Sequence, residues 1–442
     1  MRLMGVILFL LCGVLTTPAS FAQSNPRFVP LPPAMGALYL PDGNPQPRVG
    51  VILMHRTANY MSHPACTELS ARGFAVLCMN PRFVNNEVQV NWDRIALDVK
   101  AGVEFMRRQP GIEKVVLFGH SGGGPTMSFY QAVAENGVAY CQDPARIAPC
   151  ADDLRGLPRA DGIIFVDAHP GQPVMVMRAL VPAVRSEENP PDRQLSPELD
   201  PLLPANGYNP RGNSRYSEDF VRRYIEGQAR RMDAIRDEAL GRWERVRSGT
   251  YPYPDNDIVV IPRAGNPGAG PAGSIYISQF DPSMDAFNTT RQPRKLLRND
   301  GSIAVQPIRS VIVPDQSIAQ SALTFDFGTK ILSLRAFLTA NAVRATDSAE
   351  GIDHCSSNNS TICAVQAIAV PVIFVGAGGF VFIRDNEIAF EHARSSDKDL
   401  IYIEGSNHGL GPCTPCETTP GQYANVTRNL FDHLRDWINA RF

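Results

Sequence analysis

Residues 114–125 read Lys-Val-Val-Leu-Phe-Gly-His-Ser-Gly-Gly-Gly-Pro, and this stretch decides the fold. Lys114-Val115-Val116-Leu117-Phe118 has the composition of a buried strand. A glycine-rich turn follows, and a helical stretch begins near Pro125 and runs to about Glu135. Proline suits that first helical turn, where its missing N–H is no loss. Gly119-His120-Ser121-Gly122-Gly123 is therefore G-x-S-x-G between a strand and a helix, the setting of a nucleophile elbow. Small residues must flank the serine there, because a Cβ would meet the adjacent strand or helix. The turn strains the serine backbone and leaves Oγ exposed above the helix N-terminus. A phosphate loop would need Gly-Lys-Ser/Thr, and a dinucleotide turn would need G-x-G-x-x-G near the first strand. Neither is present, and Ser121 reads as a nucleophile.

Outward from the elbow, short apolar runs alternate with helical periods. Strands are expected at 49–54, 74–79 and 162–166, and helices at 64–72 and 92–108. The second helix carries Ile95, Val99, Val103 and Met106 on one face. This alternation predicts a mostly parallel sheet covered on both faces. It breaks at 169–369, where Asn189-Pro190-Pro191 and Gly265-Asn266-Pro267-Gly268-Ala269-Gly270-Pro271 mark loops. Inside that segment a long helix is expected at 217–247 with Ser217 as N-cap, and a shorter one at 330–343. The alternation resumes with strands at 370–375 and 400–403 and a closing helix at 422–442. The expected division is a core at 23–168 and 370–442, interrupted by a cap or lid insertion at 169–369.

At these residues the chain resembles the α/β-hydrolase superfamily, over about 35–168 and 370–442, with the insertion where that superfamily puts its cap. The resemblance implies an α/β-hydrolase fold and a triad in the chain order Ser, acid, His, with no cofactor and no metal. His408, in Gly405-Ser406-Asn407-His408-Gly409 after the last strand, fits the general base. The usual place for the acid holds Ala377-Gly378-Gly379 instead, a departure from the pattern. Asp385 is the preferred acid, with Asp167, directly after strand 162–166, and Glu387 as alternatives. Gly122 gives one oxyanion donor; the other is expected from His55-Arg56-Thr57, through the backbone of Arg56 or Thr57. Many members have His-Gly there, so Arg56 is a second departure, and it offers a partner for a substrate carboxylate or a surface ion pair. His55, His120 and His169 lie near strand ends and are expected to line the pocket.

The whole chain has the composition of an ordinary globular protein. It is 44% hydrophobic and 19% charged, with a formal net charge of −2 and no long run of either sign. That leaves no electrostatic footprint for nucleic acid. Arg2, an apolar run at 5–14 and Ser20-Phe21-Ala22 read as an export signal over 1–22, too short to span a membrane. Of nine cysteines, Cys12 falls within that signal and eight remain, an even number suited to disulfides in an exported chain. Proximity suggests Cys141 with Cys150, Cys355 with Cys363 and Cys413 with Cys416, while Cys66 and Cys78 pair or stay free. The expected function is an exported serine hydrolase acting on a small-molecule ester or lactone. The same triad would serve an amidase or peptidase, a thioesterase or an acyltransferase, and a non-catalytic binding protein on this scaffold is the alternative of a different class.

Overall fold

The computed structural model describes residues 26–43, 46–187, 194–253, 257–265, 277–281, 283–284, 288–312, 328–345 and 351–442. The export segment expected at 1–22 lies outside them. The first strands are Arg27–Leu31 (β1), Ala34–Tyr39 (β2), Val49–Met54 (β3), Ala75–Asn80 (β4), Lys114–His120 (β5) and Gly162–Val166 (β6). Ile258–Ile261 (β7), Arg294–Leu297 (β8), Ile303–Gln306 (β9), Lys330–Ser333 (β10), Arg344–Ala345 (β11) and Ile352–Asp353 (β12) follow. Val372–Ala377 (β13) and Lys398–Ile403 (β14) come last. The helices used below are Pro64–Ser70 (α1), Trp92–Arg107 (α2), Gly123–Asn136 (α3), Gln172–Ala179 (α4), Glu218–Arg247 (α5), Leu334–Ala340 (α6), Thr361–Ala364 (α7), Ile383–His392 (α8) and Val426–Asn439 (α9).

Ten strands form one sheet in the order β1-β2-β4-β3-β5-β6-β13-β14-β8-β9. Pairing is parallel from β4 through β3, β5, β6, β13 and β14 to β8. It is antiparallel at both ends, where β2 meets β1 and β4 and where β9 meets β8. Because side chains alternate along a strand, the sheet carries two apolar faces. Ile52, Leu77, Leu117, Phe165 and Phe374 pack with Ile95, Val99 and Met106 of α2 and Phe129 of α3. On the opposite face Val51, Val76, Phe118, Ile164 and Ile373 pack with Leu69 of α1 and with Leu430, Phe431 and Leu434 of α9.

The chain leaves β4 on one side of β3 and returns as β5 on the other. The C-terminal ends of β3 and β5 therefore flank a topological switch point, the place where open α/β sheets bind ligands. The segments 55–57 and 119–123 both start there.

The expected insertion at 169–369 is corrected in two places. Its own apolar core does exist, built from Met232, Ile235 and Ala239 of α5, Val259 and Ile261 of β7, Leu332 of β10 and Phe337 of α6. However, the β8–β9 hairpin leaves that unit and extends the central sheet, pairing with β14. The chain at 358–364 also belongs to the sheet layer: α7 packs on α3, and the Thr361 N–H donates to the Pro170 carbonyl at 2.9 Å. The helix expected at 330–343 is in fact strand β10 followed by α6, whose start is fixed by Ser333 Oγ accepting the Ala336 N–H at 3.1 Å.

The sulfurs of Cys66 and Cys78, Cys141 and Cys150, Cys355 and Cys363, and Cys413 and Cys416 lie at disulfide distance. The first pair ties α1 to β4, and the last closes the loop after β14. If α9 is the main cover of its sheet face, Phe431→Ala should remove about 3–5 kcal/mol of stability, because Phe431 is fully buried. A urea midpoint within error of the wild type would contradict that packing.

Candidate active site

The elbow is dictated by what its glycines exclude. A Cβ at Gly119 would stand 2.8 Å from the Gly123 carbonyl oxygen and 2.9 Å from Gly124 Cα, and one at Gly123 would stand 2.8 Å from the Met54 carbonyl oxygen. All of these obstacles are backbone, so none can yield by a rotamer change. Ser121 itself has φ of 54°, in the left-handed region that a residue with a Cβ seldom adopts. This aims its side chain off the end of β5, at the N-terminus of α3.

His408 arrives from the loop after β14. The loop is folded on itself: Asn407 N–H donates to the Gly411 carbonyl at 2.8 Å, and Asn407 Nδ2 donates to the Pro412 carbonyl at 2.9 Å. Cys413 N–H donates back to the Gly405 carbonyl at 2.8 Å. The imidazole is stacked on Phe380, with centroids 4.4 Å apart, and edged by Phe382 at 5.7 Å. His408 Nε2 lies 2.9 Å from Ser121 Oγ, and His408 Nδ1 lies 2.5 Å from Asp167 Oδ2. The carboxylate accepts a hydrogen bond from Nδ1–H, which leaves Nε2 as the acceptor facing the Ser121 hydroxyl.

Asp167 follows β6 directly, and it is the carboxylate that meets His408, in place of the preferred Asp385. It is wholly buried, has φ of 42°, and its Oδ1 accepts the Ala377 N–H at 3.3 Å. Asp385 sits in the first turn of α8, where Arg178 Nη1 of α4 donates to both of its oxygens at 3.0 Å. Glu387 accepts from Arg291 N–H at 2.7 Å, Gln292 N–H at 3.1 Å and Arg294 Nε at 2.8 Å, and it also pairs with Arg384. Burial opposes its charge, but these donors outweigh it and hold the carboxyl below its ordinary range. Both carboxylates fasten α8 to its neighbours and neither reaches His408. The glycines at 378 and 379 have their own reason. A Cβ at Gly378 would stand 2.6 Å from the Ile403 carbonyl oxygen, and one at Gly379 would stand 2.9 Å from the Ser406 carbonyl oxygen, so the loop after β13 gives way to the His408 loop.

Of the expected oxyanion donors, the N–H groups of Gly122 and Arg56 meet no acceptor among the described residues. Thr57 is corrected: its N–H donates to His55 Nδ1 at 3.0 Å, as does that of Ala58 at 2.8 Å. Arg56 is no surface ion pair. It is buried, with Nε and Nη2 donating to Glu87 at 3.3 and 2.7 Å. Burial works against the Glu87 charge, but Arg56, Lys330 and the Thr57 hydroxyl hold its carboxyl below the usual range. Burial in turn lowers Lys330 to about 8, against the pull of Glu87.

Of the three histidines expected to line a pocket, His55 and His169 bring Nε2 close to Gly122, whereas His120 does not. Its two ring nitrogens are engaged. His63 Nδ1 accepts the Ala65 N–H at 3.2 Å, so His63 donates from Nε2 to His120 Nδ1 at 3.0 Å. His120 then donates from Nε2 to the His408 carbonyl at 2.7 Å. The Tyr60 hydroxyl completes the group, 3.1 Å from the His120 carbonyl. This chain of neutral rings, absent from the expectations because His63 gives no motif, supports the His408 loop from below.

No protein-family model matches the sequence, and no curated protein matches it. Solved structures similar to the chain include DcsB in complex with its substrate analogue, at 11% identity and a TM-score of 0.41, covering 92% of this chain and 94% of that one. The alpha/beta hydrolase GrgF from Penicillium sp. sh18 is similar at 11% identity and a TM-score of 0.40, over 92% of this chain and 94% of its own. Est1E from Butyrivibrio proteoclasticus is similar at 10% identity and a TM-score of 0.38, over 95% of this chain and 99% of its own. The chain's own sheet order, with an elbow after β5 and a histidine loop after the last of the parallel strands that close the core, gives it the α/β-hydrolase fold.

Acid should weaken this structure through its histidines. Burial, the first cause in each case, lowers His55, His120 and His169 well below 6.5 and His63 to about 4. The unfolded chain therefore takes up protons first as pH falls. Their contribution is full above about pH 6.5 and declines toward pH 4, by up to ~1.4 kcal/mol per pH unit for each ring. Urea midpoints at pH 7.5 and 5 should show the fall, and His63→Gln should make it shallower. An unchanged slope in that variant would contradict the neutral state of His63.

Proposed function

We propose that the chain is an exported serine hydrolase that cleaves a carboxylic ester or lactone through an acyl-enzyme on Ser121. The observation that carries this reading is the unbroken line from Asp167 Oδ2 through His408 to Ser121 Oγ, with separations of 2.5 and 2.9 Å. In the reaction, His408 Nε2 takes the Oγ proton as the Oγ–carbonyl carbon bond forms, and the carbonyl π pair moves to oxygen. Collapse of that oxyanion breaks the bond to the leaving alkoxide, which takes the proton from His408. Water then repeats the sequence against the acyl-enzyme, returning Ser121 and releasing the acid. Asp167 holds the imidazole in the acting tautomer and stabilises the imidazolium between the two proton transfers.

The expectation of a non-catalytic scaffold rested on the lack of an acid after β13. Asp167, at hydrogen-bond distance from His408 at the end of β6, supports the catalytic reading over that one. Export is supported by the leader-like residues 1–22 and by the four cysteine pairs at disulfide distance. No helix among the described residues is long and apolar enough to cross a membrane.

The test is a panel of p-nitrophenyl esters, lactones and anilides. Ser121→Ala and His408→Ala should lose nearly all turnover, and Asp167→Asn should lose roughly 10⁴-fold in kcat. Asp385→Asn should keep kcat within about threefold, since its carboxylate serves Arg178. Full activity in Asp167→Asn with loss in Asp385→Asn would overturn the assignment. Faster cleavage of anilides than of esters would move the substrate class to amides.

A further inference from the structure

Gly122, the residue after the proposed nucleophile, is surrounded in an unusual way. A Cβ there would stand 3.0 Å from His169 Nε2 and would run closer still into His55 Nε2 and Arg56 Nη1. Three side-chain nitrogens therefore converge on the N-terminus of α3 beside Ser121, and the three residues that carry them are each more than nine-tenths buried.

Their protons are assigned by their other contacts. His55 Nδ1 accepts the N–H groups of Thr57 and Ala58, at 3.0 and 2.8 Å, so the proton of its neutral ring is on Nε2. That Nε2–H meets no acceptor among the described residues. Arg56 has Nε and Nη2 engaged by Glu87, which leaves Nη1 directed at the same space. His169 is the informative member. Gly171 N–H points at its Nδ1 at 3.2 Å, and Arg56 Nη1 lies 3.2 Å from its Nε2. A neutral imidazole can accept at only one nitrogen, so as the groups stand one of those contacts sets donor against donor. An acceptor seated over Gly122 relieves the conflict, because Nε2–H and Nη1–H can both turn to it. The His55 Nε2–H has no acceptor among the described residues and the Arg56 Nη1–H meets only the contested His169 Nε2, an arrangement that costs free energy unless a ligand supplies an acceptor.

We infer that the oxyanion of this protein is held chiefly by side chains, His55 Nε2–H and Arg56 Nη1–H, acting with the Gly122 N–H. Glu87 aims Arg56 and is a positioning residue. The reason for the substitution of side chain for backbone is local: the Thr57 N–H that could have served is turned onto the His55 ring. The same turn sets the His55 tautomer, so one backbone donor is exchanged for one at Nε2. Arg56, standing where a glycine would leave only backbone, adds a full positive charge at the point where negative charge develops. The inference rests on Ser121 being the nucleophile.

The variants are His55→Asn, whose Oδ1 can still take the Thr57 and Ala58 N–H groups while the distal donor is lost, and Arg56→Lys, which keeps the charge opposite Glu87 but not the fork. Each is compared with the wild type for ester turnover and for inhibition by a trifluoromethyl ketone. In the inhibited complex Ser121 Oγ adds to the ketone carbon, its proton passes to His408 and the carbonyl π pair becomes the oxyanion. Each variant should lose about 10²–10³-fold in kcat with KM little changed, and ketone affinity should fall by a similar factor. Affinity for the corresponding secondary alcohol, which forms no oxyanion, should stay the same. Wild-type kcat and ketone affinity in folded His55→Asn and Arg56→Lys would overturn the inference. So would a rise in KM alone, which would place these donors on a ground-state group of the substrate. If Ser121→Ala hydrolyses esters as the wild type does, the nucleophile reading itself fails, a result distinct from both.

Discussion

The contact between His408 Nδ1 and Asp167 Oδ2 joins residues 241 apart in the chain, across the ends of β6 and β14 with β13 between them. Much of the local structure can be understood as what that contact requires. Asp167 must turn out of β6 at once, which places it at φ of 42°, next to a serine already at 54°. Each such non-glycine residue costs on the order of 1 kcal/mol or more and persists only where its surroundings over-determine it. Here the surroundings are the buried parallel strands on either side. The loop after β13 must stay thin enough to let the bond pass, and glycines at 378 and 379 keep it so.

The polar environment follows the same logic. The histidines next to that contact, His55, His63, His120 and His169, are held neutral by burial. Neutral rings have one donor and one acceptor each, so their hydrogen bonds also fix direction. From Ala65 through His63 and His120 to the His408 carbonyl, every proton points toward the His408 loop. On the other side of Ser121, the proton of His55 is left on Nε2, beside Gly122. The ring nitrogens thus separate into a supporting set and a set directed at the site.

What the sequence revealed depended on how local each feature was. The strand–glycine–helix context pointed to Ser121 and position after the last apolar run pointed to His408, two side chains that the structure brings within 2.9 Å of each other. The strands of the core agree with expectation to within two residues because they are continuous apolar runs buried on both faces. The acid is different in kind: whether a carboxylate after β6 or after β13 reaches His408 is set by the depth and turn of two loops, and Asp385 was preferred on position alone. Ala377-Gly378-Gly379 was in fact the clue, a segment too small to hold an acid. The β8–β9 hairpin had a readable signal in Asn299-Asp300-Gly301 but was absorbed into a segment rich in loops. β1 and β2 flank Pro32-Pro33, which hides two short strands behind a break. The ring around Gly122 was visible only as names, since the tautomers that give it meaning come from contacts with backbone groups.

The most direct test of the account is mass spectrometry of the chain after reaction with a fluorophosphonate, followed by peptide mapping. The account predicts one adduct per chain, on Ser121, formed far more slowly in Asp167→Asn than in Asp385→Asn. An adduct on another residue, or equal rates in wild type and Asp167→Asn, would contradict it.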